Sequence, residues 1–171
     1  MSALLRFMLD LCLLRVGPQR LPPARELLWL FLVVYVALGV IVYLSRYELR
    51  FALGASLVEA LLIAAFIQLL LRSWGRPERF TQTLTALLAA WTLLGLLVAP
   101  LIYATRDLEP GGQDALLVFV GMTLYLAWSL AVLGNILHHA LEIPLYGGIG
   151  LGVIYFLLSQ MVVAAVLPAL N

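Results

Sequence analysis

Residues 51–71 read FALGASLVEALLIAAFIQLLL. A helix crosses about 30 Å of hydrocarbon with roughly 20 apolar residues, and one acid, Glu59, is the only charge in this run. Residues 27–44, 83–104, 115–137 and 145–167 repeat the pattern with few ionisable side chains. Little is left over for anything else. The whole chain is 64% hydrophobic and 11% charged, against about 45–50% and about 25% in an ordinary soluble domain. The expected fold is all-α: a polytopic membrane helical bundle with five transmembrane helices and a short N-terminal amphipathic helix. Residues 1–25 form the interfacial helix and linker, and residues 26–171 the transmembrane domain.

Outward from the spans, the connections are short, so consecutive helices are expected to be antiparallel neighbours. Glu109-Pro110-Gly111-Gly112 reads as a turn between spans three and four. Residues 3–15 place Leu4, Leu5, Met8, Leu11 and Cys12 on one face, with Arg6 and Asp10 opposite. That helix is too short and too charged to span. It is expected to lie in the interface plane, or else against a partner's soluble domain. Cys12 reads as buried filler rather than a reactive thiol, with lipidation the alternative. No cleavable signal peptide is expected, because Arg6 and Asp10 break the first apolar run.

All ten basic residues are arginine, and their distribution sets an orientation. Arg6, Arg15, Arg20, Arg25, Arg72, Arg76 and Arg79 fall on one side, and Arg46, Arg50 and Arg106 on the other. The positive-inside rule puts the N-terminus in the cytoplasm and, after five crossings, the C-terminus in the periplasm of a bacterial inner membrane. A net charge of +1 argues against a nucleic-acid partner, which needs a basic face.

Glu59 lies roughly 12 Å along span two at 1.5 Å per residue. A carboxyl there must face the bundle interior or take up a proton. Ala52, Ala55, Ser56, Ala60 and Ile63 make a narrow face around it, which allows close helix approach. Tyr35, Thr123 and Gln160 lie at similar depth and are its expected polar partners. A proton or cation relay and a buried acid that fixes packing are both open readings. Gly148 and Gly152 form a GxxxG pair, expected to pack helices. Val153 occupies the place of the third glycine of a dinucleotide fingerprint, which sets that reading aside.

At the cytoplasmic face, His138, His139 and Glu142 offer too few ligands for a metal site. With Arg72, Arg76 and Arg79, the two histidines are candidates for holding anionic lipid head groups. Pro100 is expected to kink span three. Thr81, Gln82, Thr83 and Thr85 read as cap and backbone-bonding residues. No catalytic motif is present, so no enzyme, no metal and no cofactor is expected.

The stretch Leu126-Ala127-Trp128-Ser129-Leu130-Ala131-Val132-Leu133-Gly134, then His138-His139-Ala140-Leu141-Glu142 and a glycine-rich last span, resembles the C-terminal half of Yip1-like membrane proteins. Arg79-Phe80-Thr81-Gln82-Thr83-Leu84-Thr85-Ala86 looks like a stretch of small bacterial five-span inner-membrane proteins. The resemblance implies a non-enzymatic integral membrane protein and supplies no site residues. The chain departs from the eukaryotic Yip1 pattern by lacking a long cytoplasmic N-terminal region, so no trafficking role carries over. The leading expectation is a structural or accessory component of a membrane assembly, with membrane lipids, other membrane proteins or a second copy of itself as partners. A small transporter or channel using Glu59 is the alternative, and anionic-lipid binding at the cytoplasmic rim a further one.

Overall fold

The computed structural model describes residues 3–105 and 113–170. The expected turn at residues 109–112, and Arg106, lie outside the described residues. Six α-helices carry the fold: α1 (Ala3–Cys12), α2 (Arg25–Tyr43), α3 (Leu49–Ser73), α4 (Phe80–Ala104), α5 (Gln113–Leu141) and α6 (Leu145–Leu170). From α2 onward, five are long and apolar enough to cross a membrane. This is a membrane-type all-α bundle.

The five long helices close a ring. α2 packs on α3 and α4, α4 on α5, α5 on α6, and α6 back on α3. The two halves of the ring differ. Toward the end where α3 gives way to α4, the axis is filled by Ile63, Ile67 and Leu71 of α3, Leu84, Leu87 and Leu88 of α4, and Leu133, Ile136 and Leu137 of α5. Toward the end where α2 gives way to α3, the axis is hollow. α4 continues through Pro100, whose ring leaves one backbone acceptor in the preceding turn without its intrahelical donor.

Glycine lets α5 and α6 approach closely. A Cβ on Gly148 would lie 2.2 Å from the Gly134 carbonyl oxygen and 3.0 Å from the His138 nitrogen, while one on Gly152 would meet Leu133 Cδ2 at 3.3 Å. α5 and α6 therefore touch backbone to backbone at Gly148, with Gly134 as its partner.

α1 departs from its expected place in two ways. Its helix ends at Cys12 rather than residue 15, in a Schellman turn with Leu14 at φ 61°. There the Arg15 N–H donates to the Asp10 carbonyl and the Leu14 N–H to that of Leu11. Its apolar side is also covered by the chain itself. Met8, Leu11 and Cys12 are buried in the same core as Ala86 and Ala90 of α4, against which α1 packs.

Residues 12–21 then follow α5 toward its C-terminal end. The Trp128 indole donates to the Cys12 carbonyl at 2.8 Å and the Asn135 amide to the Val16 carbonyl at 3.3 Å. Gln19 donates to the His139 carbonyl at 2.6 Å, and Gln82 to the Leu21 carbonyl at 2.8 Å. Trp128 stands roughly 20 Å from the end of α5 at 1.5 Å per residue. The end of α1 thus sits at mid-height on the bundle, not at its rim. Non-helical backbone survives at such depth only where protein donors satisfy it, and three of these donors come from the long helices. Burial pushes the Cys12 thiol up to about 11, so at neutral pH it is a thiol rather than a thiolate, the inert form.

Candidate functional site

The hollow half of the ring is a cavity of about 420 Å³ lined by residues from all five long helices. Its shape follows from helical spacing. Trp91, Gly95, Val98 and Ile102 are one face of α4, and Tyr125, Ser129 and Leu133 one face of α5, at three- and four-residue steps. Tyr35, Gly39 and Tyr43 come from α2, and Tyr155, Ser159 and Gln160 from α6.

α3 contributes one residue, Glu59. It stands a turn above Ile63, which continues as Ile67 and Leu71 down the filled axis. Ala52, Ala55, Ser56, Ala60 and Ile63 are all buried, none more than 5% exposed. Close approach of α2 makes this possible. A Cβ on Gly39 would lie 2.8 Å from Ser56 Oγ and 3.3 Å from Ser56 Cβ, so a larger residue there would have to turn the Ser56 hydroxyl aside.

The Tyr43 hydroxyl donates to Glu59 Oε1 at 2.6 Å. Tyr43 is not among the partners that depth along the spans suggests. Its place at the end of α2 concealed that its side chain reaches back into the bundle. Of the expected partners, Tyr35 and Gln160 line the same cavity. Thr123 does not. It is exposed, and its hydroxyl donates to the Phe119 carbonyl at 2.8 Å. Two residues from Tyr125, it points about 200° around α5 from the cavity face.

Aromatic rings make the floor. Tyr35 stacks on Trp91 at 6.3 Å between centroids, Trp91 meets Tyr155 at 5.6 Å, and Tyr155 meets Phe66 of α3 at 5.2 Å. The chain of contacts crosses the ring from α2 through α4 and α6 to α3. Among the described residues, the buried Trp91 indole N–H has no hydrogen-bond partner. Buried donors left unpaired are uncommon and costly.

The opposite end of the bundle holds the expected lipid-binding residues, largely engaged with the protein. Glu142 sits just past α5 at φ 55°, in ion pairs with Arg76 and Arg79, the latter at 2.7 Å. Arg79 also donates to the Ala140 carbonyl at 3.0 Å, capping a helix end whose dipole favours a cation. Arg72 pairs with the Gln68 amide oxygen at 2.9 and 3.0 Å once that amide is oriented by its hydrogen bonds. His138 Nδ1 bonds the Ile143 carbonyl and His139 Nδ1 the Asn135 carbonyl. Among the described residues, no group of three or more metal-ligating side chains occurs.

The two guanidiniums hold the Glu142 carboxyl down at about 2, from 4.5. A depressed carboxylate stabilises the fold above its unfolded value and loses that contribution as pH falls through the folded one. The clasp is therefore expected to stabilise fully above about pH 4.5 and to fade toward pH 2. Thermal unfolding across this window should be steeper in pH for the parent than for Glu142→Gln. Equal slopes would show that the clasp contributes nothing.

Compared with protein families, curated proteins and solved structures, the chain matches none.

Proposed function

We propose that this protein binds a small solute inside the membrane, in the cavity around Glu59, as a carrier or channel-like component rather than as a scaffold. One observation carries the reading: the axis of a five-helix ring is packed solid in one half and left hollow, with a carboxyl on its wall, in the other. A bundle serving only to hold neighbours gains by filling that space, since voids cost stability. Intramembrane acids in bundle interiors are the usual marks of solute or ion pathways.

In the proposed topology Arg20, Arg25, Arg72, Arg76 and Arg79 face the cytoplasm of a bacterial inner membrane, following the positive-inside rule. The hollow half then faces the periplasm. The occupied arginines at the other end favour this site over head-group binding at the rim.

Accessibility tests the proposal. Ser129→Cys places a thiol on the cavity wall, and the native Cys12, 3% exposed, does not compete for reagent. A small membrane-impermeant methanethiosulfonate added to intact spheroplasts should label Ser129→Cys. It should not label Leu87→Cys, whose parent residue is fully buried below the floor. Failure to label Ser129→Cys from either side of the membrane would remove the cavity as a solute site.

A further inference from the structure

We infer that the solute is a monovalent organic cation, a protonated amine or quaternary ammonium with apolar substituents. The inference rests on the cavity reading above and names its ligand class. Among the described residues, Glu59 is the only charged side chain on the cavity wall, and no arginine or histidine lines it. An anion there would meet a carboxyl with no positive partner, an arrangement that burial makes prohibitive. A cation pairs with the one charge present.

The rest of the wall decides between a metal ion and an organic ion. Hard metal ions gather six or more oxygens at close range. Here a single carboxylate stands in a space of about 420 Å³, within the range of about 300–1,000 Å³ usual for small-molecule sites. The floor is aromatic, with Tyr35, Trp91 and Tyr155 in one continuous chain of ring contacts. Ring faces attract cations within about 6 Å, indole most strongly, and more so when the site is dry. A carboxylate and contiguous aromatic rings on one cavity wall suit an ammonium with bulk: charge toward Glu59, hydrocarbon toward Trp91 and Tyr155. Ser159 and Gln160 give polar contacts for an N–H or hydroxyl on the same ligand.

Three probes of similar size test it: benzyltrimethylammonium, neutral benzyl alcohol and anionic phenylmethanesulfonate. Each is added to the purified full chain carrying Ser129→Cys, and the rate of labelling by a neutral maleimide is followed. The cation should slow labelling at least tenfold at saturation, while the other two leave it within twofold. Glu59→Gln retains an acceptor for Tyr43. It should keep the thiol reactive and abolish protection. Trp91→Phe should keep most of the protection, and Trp91→Leu should lose it.

Labelling that none of the three slows would overturn the cation class and leave the cavity standing. Equal protection by cation and alcohol, or protection that survives Glu59→Gln, would do the same. A thiol that never labels would overturn both readings together.

Discussion

Replacing Gly148 with alanine is expected to be among the most damaging small substitutions in this chain. The new methyl would stand 2.2 Å from the Gly134 carbonyl oxygen and 3.0 Å from the His138 nitrogen. Both are backbone atoms in a second helix, so no side chain can swing aside. The only relief is to move α5 and α6 apart, which loosens the contact that also holds Gly152 against Leu133. Overpacking typically costs about 1–3 kcal/mol, and each kcal/mol lowers the melting point by roughly 2–4 °C in a chain of this size.

Gly150 is the control. It lies in the same helix two residues on, with nothing within 4 Å of an added Cβ. Gly150→Ala should gain up to about 1 kcal/mol, the helix-propensity difference between the two residues. Melting curves in detergent, read by circular dichroism, would compare them. Equal melting points would mean that α5 and α6 do not meet through Gly148.

Each long helix was legible from its apolar run, because a bilayer-spanning helix must be apolar along its whole length. That same uniformity hides how the helices are arranged. α6 is apolar all round, so no stripe marks which neighbours it faces. Small residues gave partial direction. The narrow face of α3 located the inward side of Glu59, and the GxxxG pair marked the α6 side of the α5 contact, though not Gly134 opposite it. The ring order, and with it the hollow half, depends on side chains meeting across helices distant in sequence.

The amphipathic pattern of residues 3–15 showed that one face is covered but not by what. α4, carrying Ala86 and Ala90, covers it, and Trp128, Asn135, Gln82 and Gln19 hold the chain that follows. Trp128 and Asn135 look like ordinary span residues, because their partners are main-chain carbonyls that no side-chain pattern reveals. Arg76 and Arg79 lie at the same end of the bundle as His139 and Ala140. Their carboxylate partner, Glu142, had been grouped with the histidines, since spacing along α5 cannot show an ion pair to the α3–α4 connection.

Removing the Tyr43 hydroxyl alone is expected to destabilise the protein, and removing Glu59 with it is expected to restore the loss. Tyr43→Phe leaves the carboxyl without its 2.6 Å donor. Stripping the partner from a buried acceptor costs about 1–3 kcal/mol, more when it is charged. Glu59→Leu combined with Tyr43→Phe removes both polar groups and adds hydrocarbon to a cavity that has room for it. Replacing a buried polar pair with well-packed apolar groups is often neutral or stabilising. The double variant should therefore melt at or above the parent, with a coupling energy of about 0.5–3 kcal/mol between the two positions.

The sign is informative because the two roles of Glu59 predict opposite results. An acid retained to fix helix packing leaves a weaker bundle when it goes. An acid retained for a ligand burdens the empty bundle, so its loss gains stability and forfeits binding, the usual exchange at functional sites. A double variant that melts below the parent by as much as the two single variants together would assign Glu59 to packing and remove the reason for placing a cation beside it.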